Sequence, residues 1–198
     1  MNIIVRQSFW SSIVIYIGVV LGFVNSIILF PQFLSTEQIG IVRQLISAAT
    51  LLIPITTFGV NASYVKFYPN FVDDKSQKNQ FFIYELTVIL LSYCVVFAFL
   101  NLFYEDIRGL FTEKSRILFN YFDVFLLILF CLSISTLFES FLRARYDTVI
   151  TNVVNGVSNR ILTALTLILF SLSLISFDEF INYPVSYTHL TLPTIRLV

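Results

Sequence analysis

Histidine, cysteine and charged residues are scarce in this chain. Its 198 residues include one histidine and two cysteines, and Asp, Glu, Lys and Arg together make up 12%. There is no glycine-rich phosphate loop and no HExxH, GxSxG or CxxC pattern, so we predict no catalytic residue, metal site or cofactor. Cys94 and Cys131 both lie in apolar segments, which favours two buried free thiols over a disulfide. The zero formal net charge gives no indication of nucleic-acid binding.

Apolar residues, by contrast, dominate the sequence. They make up 57% of the chain, and the mean hydropathy is +0.85. A helix needs roughly 20 apolar residues to cross about 30 Å of hydrocarbon. Five segments are long enough, at about 9–30, 38–65, 81–104, 121–142 and 149–177. The sequence therefore predicts an all-α, polytopic transmembrane bundle of five helices within residues 1–184.

The basic residues between these segments predict an orientation, because Lys and Arg favour cytoplasmic loops. An N-terminus inside the cell places six basic residues in the inner segments and three in the outer loops. The inner six are Arg6, Lys66, Lys75, Lys78, Arg143 and Arg145, and the outer three are Arg108, Lys114 and Arg116. We expect a multi-pass protein of the bacterial inner membrane with a cytoplasmic N-terminus.

The last fourteen residues, 185–198, differ in character from the rest. Val185–Thr194 reads Val-Ser-Tyr-Thr-His-Leu-Thr-Leu-Pro-Thr. The codons GTC TCT TAT ACA CAT CTG ACG CTG CCG ACG encode that decapeptide, and they resemble the transposon-end adapter used to prepare sequencing libraries. We interpret 185–198 as a translated adapter joined to a truncated gene. His189, the one histidine of the chain, then belongs to this tail, and the natural protein is expected to continue beyond Pro184.

Polar residues recur at helical spacing in the second apolar segment. Positions three and four apart share one face of a helix. The members are Arg43, Ser47, Thr50, Pro54, Thr57 and Asn61. Pro54 is expected to kink this helix and expose a carbonyl to the same face. Arg43 favours a cavity, since a buried guanidinium needs water, a carboxylate or an anionic ligand.

The fifth apolar segment carries a second polar stripe, with Arg160 beside it. Its members are Thr148, Asn152, Asn155, Asn159, Thr163 and Thr166. One interpretation is that both stripes line a common hydrophilic cavity, with Arg43, Asn61, Asn152, Asn155, Asn159 and Arg160 as candidate substrate-pathway residues. The alternative is structural, with Ser, Thr and Asn joining helices by hydrogen bonds.

Three smaller features have structural explanations. Gly18 and Gly22 form a GxxxG pair, which predicts close helix packing. Glu139 and Arg143 are four residues apart in the order that favours an ion pair. Glu85 and Asp123 lie near the ends of their apolar segments, where their carboxylates could reach the membrane interface.

Three motifs resemble those of bacterial polysaccharide flippases. Gln32–Gly40 resembles the link after the first helix, Phe58–Pro69 the end of the second helix, and Glu139–Ala144 the close of the fourth. Lys66 replaces a commoner arginine. Their order is similar to that of the oligosaccharide-flippase branch of the multidrug/oligosaccharidyl-lipid/polysaccharide exporter superfamily, over about residues 1–184.

The resemblance implies a two-lobed carrier that moves undecaprenyl-diphosphate-linked oligosaccharide across the membrane for surface polysaccharides such as the O-antigen of lipopolysaccharide. Residues 1–184 would be part of its N-terminal lobe, and the missing C-terminal lobe would be its partner in the natural chain. Two alternatives stay open: a drug or cation antiporter of the same superfamily, and a membrane polymerase of the same pathway. The antiporter needs deep acidic residues, and the polymerase needs large outer loops.

Overall fold

A computed structural model describes residues 3–71, 75–144, 148–177 and 179–181. Five helical segments are long and apolar enough to cross a membrane: Val5–Phe33, Thr36–Thr57, Ser76–Leu102, Arg116–Ala144 and Val149–Ser171. The predicted all-α fold with five membrane-spanning helices is therefore confirmed. Residues 185–198 lie outside the described ranges, so their assignment to an adapter stays a prediction.

The described ranges contain nine α-helices, with π-helical and 3-10 segments between some of them. The α-helices are α1 (Ile3–Phe23), α2 (Phe30–Phe33), α3 (Thr36–Thr57), α4 (Val60–Phe67), α5 (Lys75–Leu102), α6 (Tyr104–Leu110), α7 (Phe122–Ala144), α8 (Thr148–Asn152) and α9 (Asn159–Ser171). The π-helical segments are Val24–Leu29 and Val153–Ser158, and the 3-10 segments are Tyr68–Phe71 and Glu113–Tyr121.

The chain divides into two compact units. Unit 1 consists of the described parts of 1–40 and 145–198, and unit 2 is 41–144. In unit 1, α1 packs against α8, against α9 and against the π-helical segment between them. A capping box precedes α3: the Ser35 N–H donates to Gln38 Oε1 (2.9 Å), and the Gln38 N–H donates to Ser35 Oγ (3.2 Å). The first flippase-like motif thus contains a helix start.

In unit 2, α7 packs against both α4 and α5. Aromatic rings join these helices around the buried Tyr64. Its ring centroid lies 5.2 Å from that of Phe81, 5.4 Å from that of Tyr68 and 6.1 Å from that of Phe141. Aromatic contacts of this kind contribute about 0.5–1.5 kcal/mol beyond area burial. Cys131 is buried as predicted, but Cys94 is exposed, and neither forms a disulfide among the described residues.

The second predicted segment, 38–65, is two helices. α3 continues through Pro54 and ends at Thr57, and α4 begins at Val60. Between them Phe58 has φ 47° and Gly59 has φ 78°, which is the left-handed region that ends helices. The interruption therefore lies four residues beyond Pro54, where backbone conformation rather than the proline ring turns the chain.

Candidate functional site

Arg160 lies against the glycine pair of the first span. A Cβ built on Gly22 would stand 2.8 Å from both Cζ and Nη1 of Arg160, and one on Gly18 would stand 3.3 Å from Nη1. The guanidinium thus occupies the space that side chains at these two positions would need. We call Gly18, Gly22, Asn25 and Arg160 the arginine seat; all four residues belong to unit 1.

Two further contacts fix the seat. The Asn25 side-chain amide donates to the Arg160 carbonyl at 2.7 Å, and Asn25 is only 5% exposed. A Cβ on Gly18 would also stand 3.0 Å from the Gly156 carbonyl oxygen, so the two backbones approach closely there. The predicted close packing at the GxxxG pair is confirmed. The two glycines allow both the Gly156 backbone and the Arg160 guanidinium to approach α1 closely.

Both helices that form the seat contain a π-helical segment. Asn25 lies in Val24–Leu29, and Arg160 follows Val153–Ser158 by two residues. A π-helical turn adds a residue, so side chains after it are rotated relative to those of a continuous α-helix. The polar residues of the fifth span, although regularly spaced in the sequence, therefore do not lie on one straight helix face.

The asparagines of the polar stripe on the fifth span have different environments. Asn159 is half-buried, and its Oδ1 is buried with no hydrogen-bond partner among the described residues. Asn152 is half-buried on α8, and the side chain of Asn155 lies outside the described residues. Among the described candidates in this segment, the structure places Arg160 in the seat, and Asn159 precedes it in the chain.

The polar stripe of the second span lies on one face of α3 from Arg43 to Thr57, but its members differ in burial. Its first four members, from Arg43 to Pro54, are exposed on unit 2, whereas Thr57 is buried and Asn61 is half-buried. Residues 43 and 57 are fourteen positions apart, and at 3.6 residues per turn this spacing drifts by about 40°. The turn at Phe58–Gly59 then separates Asn61 from the rest. Arg43 forms no ion pair with any described residue.

Asn61 belongs to a set of interhelical hydrogen bonds inside unit 2. Ser140 of α7 donates to Asn61 Oδ1 at 3.2 Å, and the hydroxyls of Thr56 and Ser133 are 2.7 Å apart. Ser133 and Ser140 are seven residues apart and therefore share a face of α7. These contacts support the structural interpretation for this end of the stripe.

The acidic residues also differ from expectation in one case. Asp123 is exposed as predicted, but Glu85 is only 3% exposed and accepts a hydrogen bond from the Ser63 hydroxyl. The expectation that Glu85 reaches the interface is therefore wrong. Its helix packs against α4, which covers the carboxylate before it can extend outward. The predicted Glu139–Arg143 ion pair is confirmed at 3.3 Å.

Among the described residues, no group of three or more His, Cys, Asp or Glu side chains could hold a metal ion. An open cleft of about 610 Å³ in unit 1 lies between the Gln32–Phe33 end of α2 and the residues from Phe170 to Glu179. At its edge the backbone N–H and then the hydroxyl of Ser176 lower the pKa of Glu179. The cleft includes none of the candidate residues.

Asn25, Ser63, Ser133 and Ser140 were not among the predicted site residues. A pattern for Asn25 was nevertheless present, because 18, 22 and 25 recur at intervals of four and three and share one helix face. Ser63, Ser133 and Ser140 have no comparable pattern. Hydroxyl side chains are common on membrane helices, and only their partners show what they do.

Comparison with known proteins gives a family. Neither the search of curated proteins nor the search of solved structures found a match. A family model described as "Polysaccharide biosynthesis protein" matches residues 4–188. That match covers all five membrane-spanning segments and the arginine seat. The chain is a multi-pass membrane protein and belongs to the polysaccharide biosynthesis protein family.

Proposed function

We propose that this protein is a flippase that translocates a lipid-diphosphate-linked oligosaccharide across the bacterial inner membrane, with its N-terminus in the cytoplasm and without catalysing a reaction. The observation that carries the proposal is the arginine seat. A guanidinium stays charged at all physiological pH values. In a membrane-spanning helix it needs water, a carboxylate or an anionic ligand.

No carboxylate among the described residues forms an ion pair with Arg160. The ion pairs there are Glu105–Arg108 and Glu139–Arg143, and both lie in unit 2. The guanidinium rests on glycine backbone, which contributes no counter-charge. A diphosphate would supply that charge and bind the planar donor group in bidentate fashion.

Asn159, the residue before Arg160, offers an acceptor for an uncharged part of the substrate. The buried Asn159 Oδ1 has no partner among the described residues, and a buried unpaired acceptor costs about 1–3 kcal/mol. A sugar hydroxyl is a donor of the right chemistry. A lipid-linked sugar diphosphate thus matches both polar groups, and its passage through bare hydrocarbon would strip its hydration.

The test is a chromosomal substitution in the bacterium that carries the gene. We expect Arg160→Ala to reduce surface glycan at matched protein level, because a charge-assisted hydrogen bond contributes about 1.5–3 kcal/mol. Arg160→Lys should restore export only in part, since an ammonium lacks the planar fork. Arg108→Ala, which removes an exposed arginine outside the spans, is the matched control.

The side of the membrane on which the lipid-linked unit accumulates separates the alternatives. Spheroplasts exposed to a membrane-impermeant lectin should not bind the unit in Arg160→Ala if translocation is lost. If unpolymerised units instead accumulate on the outer face, where the lectin reaches them, the protein is a polymerase and not a flippase. Normal surface glycan in Arg160→Ala would refute the role of the seat.

A drug or cation antiporter stays the second candidate because of Glu85. The sequence places this carboxylate near a helix end, whereas the structure buries it. Buried acidic residues in membrane helices commonly bind cations or protons. Normal glycan export together with increased drug sensitivity in a deletion strain would favour the antiporter.

A further inference from the structure

Glu85 is a buried carboxylic residue for which the proposed export of glycan assigns no role. It lies on α5 about 10 Å along the helix axis from Lys78, at 1.5 Å per residue, and it is 3% exposed. The polar residues at the start of α5 therefore lie within two or three turns of it. Glu85 is covered by protein yet close to the end of its span, Ser76–Leu102.

The hydrogen bonds around Glu85 are unbalanced if its carboxyl group is ionised. The Ser63 hydroxyl lies within hydrogen-bond distance of Glu85 Oε1 and also of the Val60 carbonyl oxygen, at 3.1 Å. A serine hydroxyl has one proton and two acceptor lone pairs, while an ionised carboxylate and a carbonyl only accept. As their donor, Ser63 would have to share its one proton between both neighbours, which leaves each with a weaker hydrogen bond.

A proton on Glu85 balances the same contacts. The carboxylic O–H then donates to Ser63 Oγ, and the Ser63 hydroxyl donates to the Val60 carbonyl oxygen. Each donor has one acceptor, and no carboxylate is left desolvated. The protonated form thus accounts for both distances with one proton per bond.

The charges on the neighbouring elements do not favour an ionised Glu85. On α4, Lys66 is exposed, with its ammonium 5.3 Å from the Phe67 ring centroid, and the 3-10 segment carries Tyr68. On α7, Arg143 pairs with Glu139, and Asp123 is exposed. The remaining titratable or charged groups of unit 2 whose side chains the structure describes are Arg43, Tyr64, Lys78, Tyr84, Tyr93, Cys94, Tyr104, Glu105, Asp106, Arg108, Arg116, Tyr121 and Cys131. None of the described cations forms an ion pair with Glu85.

We propose that Glu85 is a proton-binding site, in which the neutral carboxylic acid donates to Ser63 and joins α5 to α4. Release of the proton to water leaves a desolvated carboxylate without a cation, and the Glu85–Ser63 contact then opens. Proton binding is thereby coupled to the packing of α4 on α5. This inference does not depend on what the protein exports.

Infrared spectroscopy of the purified protein in lipid vesicles tests the proposal without a transport assay. At pH 7 we expect a carbonyl absorption from a protonated carboxyl group that disappears in Glu85→Gln. Glu105→Gln, which alters an exposed carboxylate on α6, should leave the absorption unchanged. Ser63→Ala should move it to the frequency of a carboxyl group that has lost its acceptor.

A pH titration adds a second, independent readout. The wild-type absorption should disappear as the pH rises, and thermal stability in detergent should fall over the same range. Glu85→Gln should lack that pH-dependent loss, because its amide donates to Ser63 at any pH. Absence of the absorption in folded wild-type protein at pH 7, or its persistence in Glu85→Gln, would overturn the proposal.

Discussion

The guanidinium of Arg160 lies where a side chain on Gly22 would be, with Cζ 2.8 Å from the position of a Cβ. The two residues are separated by most of the sequence, on the first and the last membrane span. A glycine at position 22 thus gives a charged group room inside an apolar helix pair. The GxxxG pattern of the first span therefore provides the space in which the charged group of Arg160 lies.

Gly22→Ala is therefore expected to displace the Arg160 guanidinium rather than to unfold unit 1, since an arginine side chain is flexible. We expect reduced glycan export with nearly normal thermal stability. Gly40→Ala is the matched control, because a Cβ there meets nothing within 4 Å. Surface glycan and unfolding temperature measured together check this prediction, and equal export by the two variants would contradict it.

Arg43 stays a predicted substrate-pathway residue and can be tested separately. Arg43→Ala should impair export while easing membrane insertion by about 3 kcal/mol, so that misinsertion would not explain a loss. Arg43→Lys should recover part of the export. If Arg43 instead extends to the membrane interface, both variants will export normally at matched protein level.

Gly59→Ala should lower the free energy of unfolding by about 1–2 kcal/mol, because Gly59 has φ 78° and an L-residue is strained there. Phe58→Gly should instead raise the free energy of unfolding. Phe58 has φ 47°, which glycine adopts without strain, and its side chain is 77% exposed, so little packing is lost. Unfolding in detergent measures both effects. Gly109→Ala, on a helix with open space at its Cβ, is the control and should not destabilise the protein.

The hydroxyls of Thr56 and Ser133 should show a small favourable coupling. They are 2.7 Å apart and buried, and interhelical hydrogen bonds in membranes average about 0.6 kcal/mol. A double-mutant cycle with Thr56→Val and Ser133→Ala in detergent gives the coupling free energy. A value near zero would show that the contact contributes only packing.

Glu179 should titrate below the usual range of a glutamate, because the Ser176 N–H and hydroxyl both bond its carboxylate. Since its folded pKa is lowered, the contribution of this turn to stability is present above the unfolded pKa and is lost as the pH falls through the folded value. Ser176→Ala should raise the pKa in part, because the backbone N–H remains. A magnetic-resonance titration checks this, with Ser171→Ala as the control.

Each of the three flippase-like motifs contains a short-range structural feature. The first contains the Ser35–Gln38 capping box, the second the turn at Phe58–Gly59, and the third the Glu139–Arg143 pair. Short-range contacts of this kind depend on residues within about one helical turn of each other. Sequence spacing alone can indicate the capping box and the ion pair, whereas the turn at 58–59 falls inside the predicted segment 38–65.

The candidate site was predicted less completely, because helical spacing identifies the members of a face but not what covers it. Arg43 and Asn61 belong to one stripe by spacing, yet Arg43 is exposed on α3, whereas Asn61 lies beyond the turn at 58–59 and has a partner on α7. Whether the two polar stripes share one cavity stays a prediction. Asn25 was missed although its spacing from Gly22 places both on one face.

The sequence by itself determined the five apolar spans, since about 30 Å of hydrocarbon demands long helices whatever their neighbours. It also determined the glycine pair and the Glu139–Arg143 ion pair. Only the tertiary structure decided that Arg160 lies on Gly22, that Glu85 is buried against Ser63, and that Asn61 is bonded to Ser140. These contacts join residues 22 to 138 positions apart, and two π-helical segments and one left-handed turn set the rotation that brings them together.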